Sequence, residues 1–249
     1  MIKALIVRRF WLLRNRLLIT VPIIVLTPIA FHVFLSSVLK NIYSFSPNGV
    51  SIESWLFPGV IFSFGSLTML AIVYRDLFNP QSTLQFLKLL SISPNSKFKI
   101  IIGILLSSII ECLFYSFIST LVLLIFTPQP FTFFAFLSIL FYLIFYLSLI
   151  GNFVITLSIF VQRGFTFLFL SFILLQLLFV SSNILFEHQI YSEVMNIIFF
   201  NNPFNMLLYD LRYLIFFEES SFVWIAISSL IALIWIFLNS MLLKRKLKQ

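Results

Sequence analysis

Few side chains in this sequence have a type and position that would support chemistry, and Glu111 is the first to consider. It is the one acid placed deep inside a long apolar run, 100–126. Carboxylates inside membranes are costly and often mark ion paths or substrate contacts. The other interpretation is that Glu111 lies near the end of a span, where it reaches the headgroups or bonds to a neighbour. Its candidate partners are then Asn152, Gln176 and His32.

Motifs for catalysis or metal binding are missing from the sequence. No G-x-x-x-x-G-K-[ST] phosphate loop occurs, and the nearest stretch, Gly59 to Ser66, lacks the lysine. His32 and His188 are isolated, without the spacing that metal ligands need. Cys112 is the single cysteine, which excludes a disulfide within one copy. We therefore expect no catalytic residue, no metal and no cofactor in this chain.

The composition indicates a membrane protein. Of 249 residues, 61% are hydrophobic and 10% are charged, and the mean hydropathy is +1.12. The net charge of +8 does not indicate nucleic-acid binding, because the basic residues lie at the ends of apolar runs. The 34 Phe residues have two interpretations, an A- and T-rich genome or an aromatic substrate channel.

Six apolar runs are long enough for membrane-spanning helices, each of which needs about 20 residues. The first run follows a basic start, as in a signal peptide, but it is too long for one, and we expect a retained span. The fourth is long enough to be tilted, or broken near Gly151 and Asn152. The predicted spans are 17–39, 56–74, 100–126, 131–161, 165–186 and 222–243.

The distribution of charge predicts the orientation. If the N-terminus is cytoplasmic, 14 of the 16 basic residues fall inside, and Lys40 and Arg212 fall outside. Because Lys and Arg near span ends concentrate on the cytoplasmic side, we expect both termini in the cytoplasm. The basic residues expected inside are Lys3, Arg8, Arg9, Arg14, Arg16, Arg75, Lys88, Lys97, Lys99, Arg163, Lys244, Arg245, Lys246 and Lys248.

A polar loop, 75–99, would then be the one substantial cytoplasmic connection between spans. Asn79 is a good helix N-cap and Pro80 suits the first helical position. Leucines at 84, 87 and 90 follow at helical spacing, and Ser93-Pro94 ends the run. The pattern predicts a short helix with an apolar stripe, which is either a connector at the headgroups or a docking element.

Two other segments are candidates for function. The basic residues of segment 1–16 (Arg8, Arg9, Arg14 and Arg16) do not share one helical face, so either they bind anionic headgroups or they only set the topology. Segment 187–221 is polar at its ends and apolar in its middle, and Asn202-Pro203 would start a helix there. Asp210 and Arg212 would be costly to bury in it unless paired or hydrated.

Four stretches, in order along most of the chain, resemble the ABC-2 type permeases, the membrane subunits of many ATP-binding-cassette exporters. The first is the basic aromatic "RRFWLLRNRLL" at 8–18, and the second is "LFPGVIFSFGS" at 56–66, similar to the Pro-Gly start of the family's second span. The third is "LKLLSISPNSKFKI" at 87–100, and the fourth is "NNPFNMLLYDLR" at 201–212.

The resemblance implies one all-α transmembrane domain over residues 1–249, with an interfacial N-terminal segment, a cytoplasmic coupling helix and a re-entrant outer segment. The expected partners are a separate ABC ATPase subunit carrying ATP and Mg, a second permease copy in a homodimer, and membrane lipids. The expected function is export of an amphiphilic or lipid-linked substrate, such as a glycan, lipid or drug. The coupling residues would be Arg75, Asp76, Asn79, Leu84, Leu87 and Leu90, and the candidate pathway residues are Glu111, Asn202, Pro203 and Arg212.

Two other functions stay open at this point. One is an ion-coupled secondary carrier or channel that works through Glu111. The other is a membrane factor without transport activity, such as a translocase or cofactor-assembly subunit, although the sequence has no Trp-rich haem motif. The composition suits either a bacterial inner membrane or a plastid membrane.

Overall fold

The computed structural model describes residues 2–40, 49–78, 96–126, 131–161, 163–182, 199 and 201–246. These residues form eight helices and no β-strand, so the all-α prediction is confirmed. In chain order the helices are α1 (Ile2–Arg14), α2 (Leu17–Lys40), α3 (Ile52–Phe78), α4 (Lys97–Leu124), α5 (Phe133–Phe160), α6 (Gly164–Ser181), α7 (Pro203–Phe217) and α8 (Val223–Lys246).

Six of these helices, α2 to α6 and α8, are long and apolar enough to cross a membrane. The shortest of the six, α6, has 18 residues and is therefore about 27 Å long. Each of the six overlaps one predicted span. The prediction of six spans is thus confirmed, and the chain is a multi-pass integral membrane protein.

Two details differ from the expected spans. Helix α3 begins at Ile52 rather than at 56, so Pro58 lies inside the helix instead of at its start. Helix α5 continues through Gly151 and Asn152, and the alternative of a break there is wrong. With 28 residues α5 is about 42 Å long, more than the ~30 Å of a hydrocarbon core, which favours the tilted alternative.

Helix α3 lies at the centre of the bundle. In its most apolar stretch 83% of the residues are buried, against 17% in α2 and 22% in both α6 and α8. Gly65 allows close approach of α5, because a Cβ there would lie 3.3 Å from the side chains of Leu143 and Leu147. Two buried serines of α3 form hydrogen bonds within their own helix. Ser63 Oγ donates to the Gly59 carbonyl and Ser66 Oγ to the Phe62 carbonyl, both at 2.9 Å. A polar group bonded within its own helix can be buried among apolar neighbours.

Helices α3, α4 and α5 meet at Gly151. A Cβ atom at this position would lie 2.3 Å from Met69 Cε of α3 and 2.5 Å from Leu105 Cδ1 of α4. Both atoms are the ends of flexible side chains, and they approach the glycine from two different helices. The absence of a side chain at 151 therefore lets Met69 and Leu105 pack against the α5 backbone.

The remaining two helices are too short to span. Helix α7 has 15 residues, packs against α3, α5 and α8, and is buried on most of its surface. Helix α1 has 13 residues and packs mainly against α4. The predicted re-entrant segment is only partly described, because residues 183–198 and 200 lie outside the described ranges. The predicted helix from Asn79 to Leu90, the turn at 128–130 and His188 also lie outside them.

Replacing Gly151 with Ala should destabilise the bundle, because the new methyl group overlaps Met69 and Leu105. Gly164→Ala is the matched control, since a Cβ there meets only Tyr74 and Phe78 atoms at 3.4 Å or more. Gly151 lies inside α5 and gains more helix propensity from Ala than Gly164, the first residue of α6. A lower midpoint for Gly151→Ala must therefore come from overpacking, which typically costs about 1–3 kcal/mol. The measurement is the midpoint of thermal unfolding in detergent, and equal midpoints for the two variants would contradict this packing.

Candidate functional site

Four charged side chains meet where α1, α3 and α4 come together, and we call them the ion cluster: Arg9, Arg75, Asp76 and Glu111. Arg9 is only 6% exposed, and Asp76 and Glu111 are each 5% exposed. The Arg75 side chain is 17% exposed. Helix α1 brings Arg9, the last turn of α3 brings Arg75 and Asp76, and α4 brings Glu111. The cluster therefore joins three helices that are distant in the sequence.

Glu111 accepts hydrogen bonds from four donor atoms. Arg75 binds it as a fork, with Nη1 to Oε1 and Nη2 to Oε2 both at 2.8 Å. Arg9 Nη1 donates to Oε2 at 2.9 Å, and the Tyr115 hydroxyl donates to Oε1 at 2.7 Å. Two-point pairing between a guanidinium and a carboxylate is among the strongest hydrogen-bonded arrangements in proteins. Glu111 is thus fully bonded inside the bundle.

Arg9 links the two carboxylates of the cluster. Its Nη2 donates to Asp76 Oδ2 and, at 2.9 Å, to the Ser108 hydroxyl, while its Nη1 bonds Glu111. Asp76 also accepts a longer bond, 3.3 Å, from Arg75 Nε. Arg9 therefore contacts both α3 and α4, and it is the main partner of Asp76.

The formal charges of the ion cluster cancel. Two guanidinium groups face two carboxylates, and all four are removed from most of the solvent. Isolated charges are very costly to bury, whereas a balanced and hydrogen-bonded set is tolerated. Such an arrangement holds helices together, and it offers neither an unpaired base nor an unpaired acid for catalysis.

The partners of Glu111 differ from the expected ones. Asn152 bonds within α5 and to α8, Gln176 is exposed and His32 is buried in α2, and none of the three bonds Glu111. Glu111 also does not lie near the start of its helix. It is 14 residues after Lys97, about 21 Å along α4, and Arg9 and Arg75 reach it from neighbouring helices.

The structure separates the four arginines of the N-terminal segment. Arg9 points into the ion cluster, Arg8 is partly buried, and Arg14 and Arg16 are exposed. The expectation of a common interfacial role therefore does not fit Arg9, whose side chain is used inside the bundle. It remains a prediction for the other three.

The predicted coupling residues are only partly described. Arg75 and Asp76 belong to the ion cluster, close to the end of α3 at Phe78. Asn79, Leu84, Leu87 and Leu90 lie outside the described residues.

The candidate pathway residues fall at two separate places. The guanidinium of Arg212 lies over the Trp55 ring, 4.9 Å from its centroid, and Trp55 is in the first turn of α3. Asp76 of the ion cluster is 21 residues further along α3, which corresponds to about 31 Å. Arg212 and Glu111 are therefore associated with opposite ends of α3.

Asn202 and Pro203 start α7, as predicted. The Asn202 Oδ1 accepts from the Phe204 backbone N–H at 3.1 Å, Pro203 occupies the first helical position, and Asn202 Nδ2 donates to Ser181 Oγ at 2.9 Å. These contacts form a helix cap and a tie to α6. They explain both residues structurally.

Asp210 fixes the turn between α7 and α8. It accepts from the Tyr142 hydroxyl at 2.6 Å and from the Ser221 backbone N–H at 3.0 Å. In the same turn Glu218 and Phe222 have φ values of 59° and 50°, which are rare for residues other than glycine. No pattern in the sequence indicates that Tyr142 is the partner of Asp210.

A polar ladder of Asn152, Thr156, Trp235 and Asn239 links α5 to α8. Asn239 Nδ2 donates to the Asn152 carbonyl at 3.1 Å, and Thr156 Oγ1 donates to Asn239 Oδ1 at 2.7 Å. Trp235 Nε1 donates to Thr156 Oγ1 at 2.9 Å. In an apolar bundle such bonds fix the register of the two helices.

No group of three His, Cys, Asp or Glu side chains that could hold a metal ion occurs in the part of the chain that the structure describes. Comparison of this chain with protein-family models, with curated proteins and with solved structures gave no match. The resemblance to ABC-2 type permeases stays an inference from the four sequence stretches.

Glu111→Gln should destabilise the protein strongly, because it leaves the buried guanidinium of Arg9 and the largely buried one of Arg75 with one carboxylate between them. Removing one partner of a buried ion pair costs about 3–5 kcal/mol. The control is Glu53→Gln, whose partner Lys40 is 55% exposed. An exposed pair is worth about 0–1 kcal/mol. Thermal unfolding in detergent measures the stability of both variants. If Glu111→Gln lost no more stability than Glu53→Gln, the ion cluster would not stabilise the fold.

Tyr142→Phe should weaken the α7–α8 turn, because Asp210 loses its shortest hydrogen bond. A hydrogen bond to a charged group contributes about 1.5–3 kcal/mol, and one between neutral groups about 0.5–1.5 kcal/mol. Tyr146→Phe is the neutral control, since among the described residues the hydroxyl of Tyr146 bonds that of Ser66 alone, at 3.2 Å. The measurement is the midpoint of thermal unfolding of the two variants. A smaller loss for Tyr142→Phe than for Tyr146→Phe would contradict a stabilising role of the Tyr142–Asp210 hydrogen bond.

Proposed function

We propose that this chain is the membrane-spanning permease subunit of an ATP-driven exporter of the ABC-2 type. The observation that carries the proposal is the ion cluster, which ties the central helix α3 to α1 and α4 close to Phe78, where loop 79–95 begins. The sequence resemblance supports the same function. In this proposal loop 79–95 contains the coupling helix that an ATPase subunit grips.

The position of α3 supports the transmission of force. It packs against α2, α4, α5, α6 and α7, so a displacement of its last turn would act on most of the bundle. The ion cluster would make that turn stiff, because Asp76 and Arg75 are bonded to two other helices. If the last turn of α3 stays helical, a displacement of segment 79–95 is transmitted to the rest of α3. If that turn frays, the displacement is lost in local unfolding.

A second copy is part of the proposal. Among the residues that the structure describes, the centre of the bundle is filled by the buried side chains of α3. A large amphiphile would therefore cross between two permease copies rather than through one of them. We propose a homodimer with two ATPase subunits that bind ATP and Mg, in a bacterial inner membrane or a plastid membrane with both termini in the cytoplasm.

The geometry favours this function over an ion-coupled carrier that uses Glu111. A carrier would have to break and remake the bonds of Glu111 in every cycle. Four donor atoms from three side chains hold that carboxylate, and the charges around it are balanced. This network suits a fixed joint better than a group that exchanges ions.

The test is purification of the tagged full-length chain in mild detergent, followed by mass spectrometry of the bound proteins. We expect an ATPase with a G-x-x-x-x-G-K-[ST] loop to be recovered. Changing Leu84, Leu87 and Leu90 together to Asp should lower its recovery by about tenfold or more, since hot-spot side chains each contribute over about 1 kcal/mol to binding.

The control introduces charges on the same predicted helix at Ser82 and Gln85, which lie off the apolar stripe. It is compared with a matched double variant in which Leu84 and Leu87 are changed to Asp, and it should retain the ATPase. Recovery of no ATPase, or equal loss in the stripe and control variants, would contradict the proposed coupling role. Flux of ions through vesicles holding only this chain, abolished by Glu111→Gln, would instead support the carrier.

A further inference from the structure

We propose that Arg9 couples the N-terminal helix α1 to the end of α3, so that the two move as one mechanical unit. We call this link, made by the hydrogen bonds of Arg9 to Asp76, Ser108 and Glu111, the clasp. The role of that unit in transport rests on the proposed function, but the clasp itself does not. In this view the guanidinium of Arg9 holds α1 in place and also stabilises the end of α3, which segment 79–95 follows in the sequence.

The attachment of α1 to the bundle relies mainly on one buried side chain. From Lys3 to Arg14, Arg9 alone is buried among the described side chains, and Phe10 and Trp11 are 53% and 67% exposed. Beside Arg9, the face of α1 toward α4 leaves a small cleft lined by apolar groups that include Ile6, Leu13, Ile110 and Phe114. Because the apolar contact is incomplete, the bonds of Arg9 to three acceptors are the main link.

The end of α3 depends on Arg9 in turn. Asp76 lies two residues before Phe78, where the negative end of the helix dipole disfavours a carboxylate. Without Arg9 it would keep only the 3.3 Å bond from Arg75 Nε while 5% exposed. Loss of Arg9 should therefore loosen two segments, α1 and the last turn of α3, although only α1 carries the change.

The residue type matters as well as its charge. A guanidinium presents several donors in a fixed fork, and Arg9 uses two nitrogens to reach Asp76, Ser108 and Glu111. A lysine at this position would supply one ammonium group, which cannot reach all three acceptors in the same geometry. We expect Arg9→Lys to keep the charge balance and to weaken the clasp only in part.

The experiment is hydrogen–deuterium exchange of the full-length chain in lipid nanodiscs, without any ATPase. In Arg9→Met, peptides covering 2–14 and 74–78 should both exchange about tenfold faster or more than in the unchanged protein. Arg14→Met is the control, because it removes the same charge from the same helix at an exposed position. It should leave both segments unchanged. Faster exchange in 2–14 alone, or equal effects of the two variants, would overturn the proposal.

A double variant keeps the test decisive if Arg9→Met does not fold. Arg9→Met with Asp76→Leu removes one charge of each sign and leaves Arg75 paired with Glu111. Exchange at 74–78 should then return to the original rate while 2–14 stays fast, and no recovery at 74–78 would also overturn the proposal. Because these measurements need no ATPase, failure to recover an ATPase would count against the proposed function and leave the clasp standing.

Discussion

The cancellation of four charges, three of them buried and the fourth largely so, is the constraint on which the arrangement of this protein depends. Arg9, Arg75, Asp76 and Glu111 come from three helices, and the buried three would be costly in an apolar bundle without their partners. A hydrophobic contact lets helices slide, because apolar surfaces fit one another in many registers. A closed set of hydrogen-bonded charges allows one register only. The middle of α1, the last turn of α3 and the middle of α4 are therefore fixed relative to one another.

Helix α3 relates this charged region to the rest of the fold. Its small residues allow close neighbours over most of its length, and the glycine of α5 at 151 tightens the contact with α4. At one end of α3 lies the ion cluster, and at the other Trp55 supports Arg212 of α7. The α7–α8 turn is held by Asp210 and the α5–α8 pair by the Asn152–Asn239 ladder. The hydrogen-bonded polar groups thus lie at the places where the relative positions of the helices are fixed.

The six spans were predictable because hydrophobic length is a local property, and each apolar run carries its own signal. The start of α3 was placed too late because Glu53 made 52–55 look polar, whereas in the structure Lys40 pairs with it. The partners of Glu111 were not predictable, since Arg9 is 102 residues away in the chain. A partial signal exists: Ser108, Glu111 and Tyr115 share one helical face, as do Asn152 with Thr156 and Trp235 with Asn239. The spacing of polar residues in the sequence identifies a polar helical face, but it does not identify the helix that packs against this face.

The balance of the ion cluster also makes the movement of the cluster itself insensitive to voltage. Moving one elementary charge across a membrane at 100 mV changes the energy by about 2.3 kcal/mol, which is how voltage sensors work. Two arginines that travel together with two carboxylates carry no net charge through the field. Motion of this joint would be electrically silent, so an energised membrane would neither drive it nor hold it back.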